Sequence, residues 1–141
     1  MNNMQVYPVK AFRDNYIWTI NNETHAVVVD PGDSKPVIDF LRSKKLTLIA
    51  ILITHHHPDH IGGIKNLLDQ YDIPVYGPET EAIPGISHKL VEGDLVRLDQ
   101  LSLTFKVLDI PGHTAGHIAY FDHQRLFCGD TFFSCGCGRI F

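Results

Sequence analysis

The stretch LTLIAILIT, residues 46–54, constrains the fold of this chain most strongly. It is apolar almost throughout and does not alternate between polar and apolar positions. A half-exposed strand alternates, whereas a continuous apolar run of this length is typical of a strand covered on both faces. Because each face then needs its own covering layer, the sequence predicts a sheet with helices packed on it.

Segments with the periodicity of helices and strands surround this run. Residues 34–44 predict an amphipathic helix with Ser34 as its N-cap, and a second helix is expected to begin near Ile61. Strands are predicted at 4–9, 15–20, 26–30, 73–77, 95–98, 101–110, 118–121 and 125–128. No repeat, linker or low-complexity tract interrupts the 141 residues, so we expect one domain, 1–141, of the α/β (α+β) class with mixed layers.

The charge and the first segment argue against several kinds of partner. A net charge of −4 provides no basic surface for phosphates, so we expect a small-molecule substrate and no nucleic acid. The opening residues MNNMQVYPVKAFRDNY lack the basic and apolar regions of a secretory signal, and no window approaches the roughly 20 apolar residues of a membrane helix. We therefore expect a cytoplasmic protein that does not contact a membrane.

Three cysteines lie near the C-terminus, at Cys128, Cys135 and Cys137. An odd number in a chain without an export signal favours reduced thiols. Thiolate metal sites normally use Cys-x-x-Cys pairs and four ligands. A role in packing or in a local turn is therefore a better interpretation than a soft-metal site.

The residues directly after the apolar run are rich in metal-ligand types. THHHPDHIGG places four of the nine histidines and an aspartate within six positions. In an extended segment His55 and His57 project to the same side and His56 faces away. His60 lies just before the predicted helix, whose dipole would keep its imidazole neutral and ready to bind a cation. Asp59 is either a ligand or an N-cap.

Further ligands are expected where other strands end. His113 follows the strand that ends at Ile110, and Asp130 follows the strand 125–128. Ligands in open α/β sheets gather at the carboxyl ends of strands, where His55 also lies. His117 opens the next strand and either orients the loop or binds metal. The remaining histidines, expected at the surface, are His25, His88 and His123.

These side chains can be sorted into a site for two ions. His55, His57 and His113 would hold one ion, Asp59 and His60 the second, and Asp130 would bridge them. Two ions roughly 3.5–4 Å apart are a recurring hydrolytic arrangement with a bound hydroxide as the nucleophile. Imidazole and carboxylate ligands suit zinc, iron or manganese. The spacing predicts metal-assisted hydrolysis without naming a substrate.

THHHPDH resembles the Thr-His-x-His-x-Asp-His signature of the metallo-β-lactamase superfamily, and PGHTAGH and GDTFF resemble its further ligand segments. Taken in order with GCGRIF, these motifs are similar to those of the glyoxalase II family, the hydroxyacylglutathione hydrolases, over essentially the whole chain. The resemblance implies a four-layer αββα sandwich with a binuclear zinc or iron site and the same six ligands. It also implies hydrolysis of S-D-lactoylglutathione to D-lactate and glutathione, a step of methylglyoxal detoxification.

The resemblance assigns roles to several residues. Asp59 and Asp130 would be the catalytic carboxylates, acting through the metal ions. Asp30 resembles the acidic residue of the family that supports the ligands, although capping of its turn is an equal alternative. Arg139 would bind a carboxylate or carbonyl of glutathione, and Phe141 stands where the family often has tyrosine.

The sequence departs from the family pattern at its end. Family members continue with another histidine ligand and a helical substrate-binding domain, so we expect a fragment whose sandwich is incomplete at the C-terminal end and whose second ion binds more weakly. An intact enzyme is expected to be a monomer. The alternatives are another hydrolase or persulfide dioxygenase of the superfamily, or a catalytically inactive metal-binding domain. Low basicity argues against a ribonuclease.

Overall fold

The computed structural model describes residues 4–11, 15–55, 58–81, 83–110, 117–122, 125–128 and 131–134. Within these ranges two β-sheets pack face to face and helices cover the outer side of one of them. In chain order the elements are β1 (Gln5–Ala11), β2 (Asn15–Asn21), β3 (His25–Val29), α1 (Ser34–Lys44), β4 (Thr47–Leu52), α2 (Pro58–Ile61), α3 (Ile64–Gln70), β5 (Val75–Pro78), β6 (His88–Leu90), β7 (Leu95–Leu98), β8 (Leu103–Asp109), β9 (Ile118–Phe121), β10 (Arg125–Cys128) and β11 (Thr131–Ser134).

The two sheets differ in the direction of their strands. The first has the order β1-β2-β3-β4-β5-β6, antiparallel from β1 to β3 and parallel from β3 to β6. The second is antiparallel throughout, in the order β11-β10-β9-β8-β7. Since β3 and β4 are parallel neighbours, the segments that follow them emerge at the same edge of the first sheet.

The prediction that 46–54 forms a strand covered on both faces is confirmed. Leu48 and Ile51 belong to the core under the helices, whereas Ala50 and Leu52 belong to the core between the two sheets. All four side chains are at most 2% exposed. The absence of alternation in the sequence therefore reflects two separate apolar cores, one on each face of β4.

The boundaries of the helices differ from the sequence prediction in two places. The N-cap of α1 is Asp33, whose side chain accepts from Lys35 N at 3.2 Å, and Ser34 is the first helical residue. The second predicted helix is divided into α2 and α3, so it does not begin near Ile61. Asp59 and His60 consequently lie inside α2 and not ahead of a helix.

The break between α2 and α3 occurs where the backbone passes close to the loop after β3. A Cβ atom on Gly63 would lie 2.7 Å from both Pro31 O and Ser34 N, so only glycine fits there. Gly63 N also donates to Pro31 O at 2.8 Å. This contact attaches the helical segment containing His60 to the turn that contains Asp30.

Three of the four predicted layers are present in the described ranges: α1 with α3, the first sheet and the second sheet. The sequence missed the short strands β6 and β11. No helix within the described parts of the chain is long and apolar enough to cross a membrane.

Candidate metal centre

Asp30 occupies a special backbone position at the edge where β3 and β4 end. Its φ of 54° lies in the left-handed region, which aspartate adopts more readily than most residues other than glycine. Its N–H donates to Leu52 O at 2.8 Å, at the end of the neighbouring strand β4. Only 1% of Asp30 is exposed. The turn thus fixes a buried carboxylate next to the segment that carries the histidines.

The Asp30 carboxylate interacts with three groups from two residues, Thr54 and His60. Oδ1 accepts from Thr54 N at 2.7 Å, and Oδ2 accepts from the Thr54 hydroxyl at 2.6 Å. Oδ2 also lies 3.1 Å from His60 Nδ1. Thr54 and His60 are 0% and 3% exposed, so these bonds are protected from competing water.

The same hydrogen bonds determine which ring nitrogens carry protons. A carboxylate accepts hydrogen bonds, so His60 Nδ1 donates to Asp30. The Thr54 hydroxyl uses its one hydrogen on Asp30, and its oxygen therefore accepts from His55 Nδ1, which lies 2.8 Å away. In the neutral form both imidazoles keep their proton on Nδ1 and their lone pair on Nε2, which is the form that binds metal.

Two buried imidazoles, those of His60 and His117, lie next to that of His55. Its ring centroid lies 4.2 Å from that of His60 and 4.4 Å from that of His117. His55 and His117 are 2% and 7% exposed, and the Nε2 atoms of both are buried from solvent. A concentration of buried nitrogen donors beside one carboxylate is the chemistry expected of a cation site.

The donor set fits a divalent cation. One ligand-type atom each from Asp30, His55 and His60 lies within 4.8 Å of the others. By distance alone Asp30 could be a third ligand, but both of its oxygens already accept hydrogen bonds from Thr54, and one also contacts His60. His55 and His60 could therefore serve as ligands, with Asp30 as the group that orients them.

The described residues include part of the predicted site. His55 and His60 are brought together, 4.2 Å apart between ring centroids. Asp59 lies in α2, and its side chain is outside the described residues. The other predicted site residues outside the described ranges are His57, His113, Asp130, Arg139 and Phe141.

Two arguments made from the sequence about this segment are wrong. His60 is the third residue of the four-residue α2 and does not lie ahead of a longer helix, so the premise of the dipole argument does not hold. The contact with Asp30 orients it instead. Asp59 is not an N-cap, because it is the second residue of α2 and the residue before α3 is Gly63.

Sequence reasoning missed the part played by Thr54. The threonine of a Thr-His motif is a signal, since a single hydroxyl can donate to a carboxylate and accept from an imidazole at the same time. For the histidines expected at the surface, His88 is exposed, His25 is partly buried and hydrogen-bonded to Thr24 Oγ1 at 2.7 Å, and His123 lies outside the described residues.

The second sheet supports the segment that carries Thr54 and His55. Tyr120, on β9, is fully buried and donates its hydroxyl hydrogen to Ile53 O at 2.7 Å, directly before Thr54. Burial raises the pKa of Tyr120 well above its usual range, and the negative charge of Asp30 raises it further. On the adjacent strand, burial and then Asp30 also raise the pKa of the half-buried Cys128 thiol. Cys135 and Cys137 lie outside the described residues.

Comparison with known proteins identifies relatives of this chain. The family model of the metallo-beta-lactamase superfamily matches residues 12–140. The hydroxyacylglutathione hydrolase of Nitrosomonas europaea is 59% identical over 138 residues, which cover 98% of this chain and 53% of that protein. The chain spans about half the length of the curated relatives it matches.

Solved structures share the same fold. ETHE1 from Myxococcus xanthus superposes with a TM-score of 0.71 at 29% identity, over 87% of this chain and 55% of that one. TTHA1623 in a di-iron-bound form superposes with a TM-score of 0.65 at 31% identity, over 83% of this chain and 67% of that one.

Proposed function

Because this chain belongs to the metallo-beta-lactamase superfamily and has its fold, we propose that it contributes the metal-binding half of a glutathione thioester hydrolase, with S-D-lactoylglutathione as substrate. The observation that carries the proposal is the array in which Asp30 and Thr54 orient His55 and His60. The substrate class is supported by the relative of 59% identity named hydroxyacylglutathione hydrolase.

The residues of the array prepare the site before a cation binds. When bound, a divalent cation supplies Lewis acidity and activates water as a nucleophile. Thr54 and Asp30 keep protons on the Nδ1 atoms of His55 and His60, so that the Nε2 lone pairs are available. Burial of the four side chains excludes water that would otherwise weaken these bonds.

The chemistry of the leaving group fits the residues of the proposed site. A thiol has a pKa of about 8.5, so the glutathione thiolate can leave without a strong general acid. Asp59 can then remain a ligand and does not need to be a proton donor. We propose Arg139 and Phe141 as contacts to the glutathione portion.

The complete site is proposed to contain two zinc, iron or manganese ions. Imidazole and carboxylate ligands accommodate all three metals. Its other ligands would be His57, His113, Asp59 and the bridging Asp130. We further propose that the enzyme acts as a cytoplasmic monomer.

The test combines metal analysis with a thioester assay on the purified chain. The wild type, His55→Ala and His88→Ala are compared for metal content and for thiol release from S-D-lactoylglutathione. His88 is a matched control, since it is exposed, bonds to Ser87 Oγ at 2.9 Å, contacts the ring of Tyr76 and does not belong to the group of Asp30, His55 and His60. We expect the wild type and His88→Ala to bind metal and hydrolyse the thioester, and His55→Ala to lose both properties.

The alternatives give different results in the same experiment. Bound metal without thiol release in the wild type would contradict the hydrolase and indicate an inactive metal-binding domain. Oxygen consumption with glutathione persulfide, in place of thioester turnover, would indicate a dioxygenase. Thioester turnover at full rate in metal-free protein would contradict the assignment of the metal site.

A further inference from the structure

We propose that His117 is a positioning residue, which stacks on the imidazole of His55 and holds it in the orientation required for metal binding. The inference rests on the proposed function, because it concerns the same metal site. The two ring centroids lie 4.4 Å apart and the ring planes make an angle of 25°. Such near-parallel stacking is favourable between aromatic rings.

The backbone on either side of His117 is attached to both sheets. His117 O accepts from Ile110 N at 2.9 Å, at the end of β8. Ile118 N donates to Thr54 O at 3.0 Å, directly before His55. The stacked ring therefore has a fixed backbone origin relative to the ring it contacts, and the contact spans the gap between the two sheets.

His55 needs a second restraint on its ring. The bond between its Nδ1 and Thr54 Oγ1 restrains one edge of the imidazole, but the torsion about Cβ–Cγ of a histidine has a broad energy well. A ring packed against its face opposes rotation about that bond. The direction of the His55 Nε2 lone pair is then fixed before the cation arrives, which avoids an ordering cost on binding.

The geometry favours this role over direct ligation. Among the described residues, the group whose ligand-type atoms lie within 4.8 Å of one another consists of Asp30, His55 and His60, and it does not include His117. His117 instead contacts the face of one of those ligands. A residue that acts through the ring plane can be replaced by another aromatic residue, whereas a ligand cannot.

Cobalt(II) binding to the complete 141-residue chain tests the inference without relying on turnover. Affinity and the visible absorption spectrum are measured for the wild type, His117→Ala and His117→Phe. We expect His117→Ala to bind cobalt about 10-fold more weakly with an altered spectrum, in the range found when a partner of a ligating histidine is removed. His117→Phe keeps a stacking ring, so its affinity should stay within about 3-fold of the wild type and its spectrum should be unchanged.

Val107→Ala controls for a general loss of stability. Val107 lies on β8 in the core between the sheets and is 0% exposed, so this variant loses stability at a position outside the group of Asp30, His55 and His60. It should bind cobalt as the wild type does. Circular dichroism checks that each variant is folded, and if His117→Ala does not fold, the comparison of His117→Phe with the wild type decides.

Three results would overturn the inference. Wild-type affinity in a folded His117→Ala protein would show that the stack has no effect on the site. A loss in His117→Phe as large as that in His117→Ala would assign His117 a ligand or hydrogen-bonding role. Absence of cobalt binding by the wild type would contradict the proposed metal site itself, and the inference with it.

Discussion

Replacing Thr54 with valine should distinguish the hydrogen bonds that Thr54 makes to Asp30 and His55 from its contribution to packing. The substitution preserves shape but removes the hydroxyl that donates to Asp30 at 2.6 Å and lies 2.8 Å from His55 Nδ1. A hydrogen bond to a charged group contributes about 1.5–3 kcal/mol, and a buried donor left without an acceptor costs about 1–3 kcal/mol. We therefore expect Thr54→Val to lower the free energy of unfolding by about 3 kcal/mol or more in metal-free protein.

Thr19 offers a matched control for this substitution. It lies on β2 and, like Thr54, is 0% exposed, but its Oγ1 has no hydrogen-bond partner among the described residues. Removing a buried hydroxyl that makes no bond should be neutral or stabilising. Thr54→Ser retains the hydroxyl and should lose only about 1 kcal/mol, for the missing methyl group.

Urea unfolding of metal-free protein and competition titrations with zinc provide the measurements. Thr54→Val should bind zinc about 10- to 100-fold more weakly, because the tautomer and orientation of His55 are no longer set. Thr54→Ser and Thr19→Val should bind as the wild type does. Equal stability losses in Thr54→Val and Thr19→Val, with unchanged zinc affinity in both, would refute the role assigned to the array.

Three further perturbations test the support around the site. Tyr120→Phe removes the bond to Ile53 O and should lower the free energy of unfolding at pH 7 by about 1–2 kcal/mol. Because burial raises the pKa of Tyr120 in the folded state, wild-type stability should be undiminished below about pH 10 and should fall as pH rises beyond it. Urea unfolding should show that the free energies of unfolding of wild type and variant become more similar as pH rises beyond about 10. A difference in free energy that stays constant with pH would contradict the raised pKa. Gly63→Ala brings a Cβ to 2.7 Å from Pro31 O and should both destabilise the chain and weaken zinc binding. Gly93→Ala is the control: Gly93 has a φ of 90°, and a Cβ there would have no atom within 4 Å. This variant should lose about 1 kcal/mol of stability and bind zinc as the wild type does. Removing metal with a chelator should lower the melting temperature, since zinc at 100 times its Kd stabilises the folded state by about 2.7 kcal/mol, and an unchanged melting temperature would argue against a site formed in the native state.

Local patterns in the sequence were sufficient for much of the fold. The apolar run at 46–54 predicted a strand buried on both faces, and the structure confirms it with separate cores around Ile51 and Leu52. The amphipathic period over 34–44 predicted α1, except that its N-cap is Asp33 and not Ser34. Such patterns predict structure reliably because the burial of a strand or helix face depends on the residues of that segment.

The second helix was mispredicted because a distant contact decides it. Its apolar period continues through Ile61 and Ile64, and this favours one uninterrupted helix. The structure divides it at Gly63, where the backbone approaches Pro31 O too closely for any other residue. The two segments in contact are about thirty positions apart, so the only sign of their close approach in the sequence is the glycine itself.

By itself the sequence determined the inventory of the site: which ligand-type residues exist, and that they follow the ends of strands. The tertiary structure decided how those groups act on one another. Asp30 and His60 are 30 positions apart, and they interact because a left-handed turn after β3 meets a helix attached to it through Gly63. His117 contacts His55 because β9 of the second sheet bonds to Thr54 of the first. Hydrogen-bond direction and ring stacking depend on distances of a few ångströms between separate segments, and only the tertiary packing of those segments sets the distances.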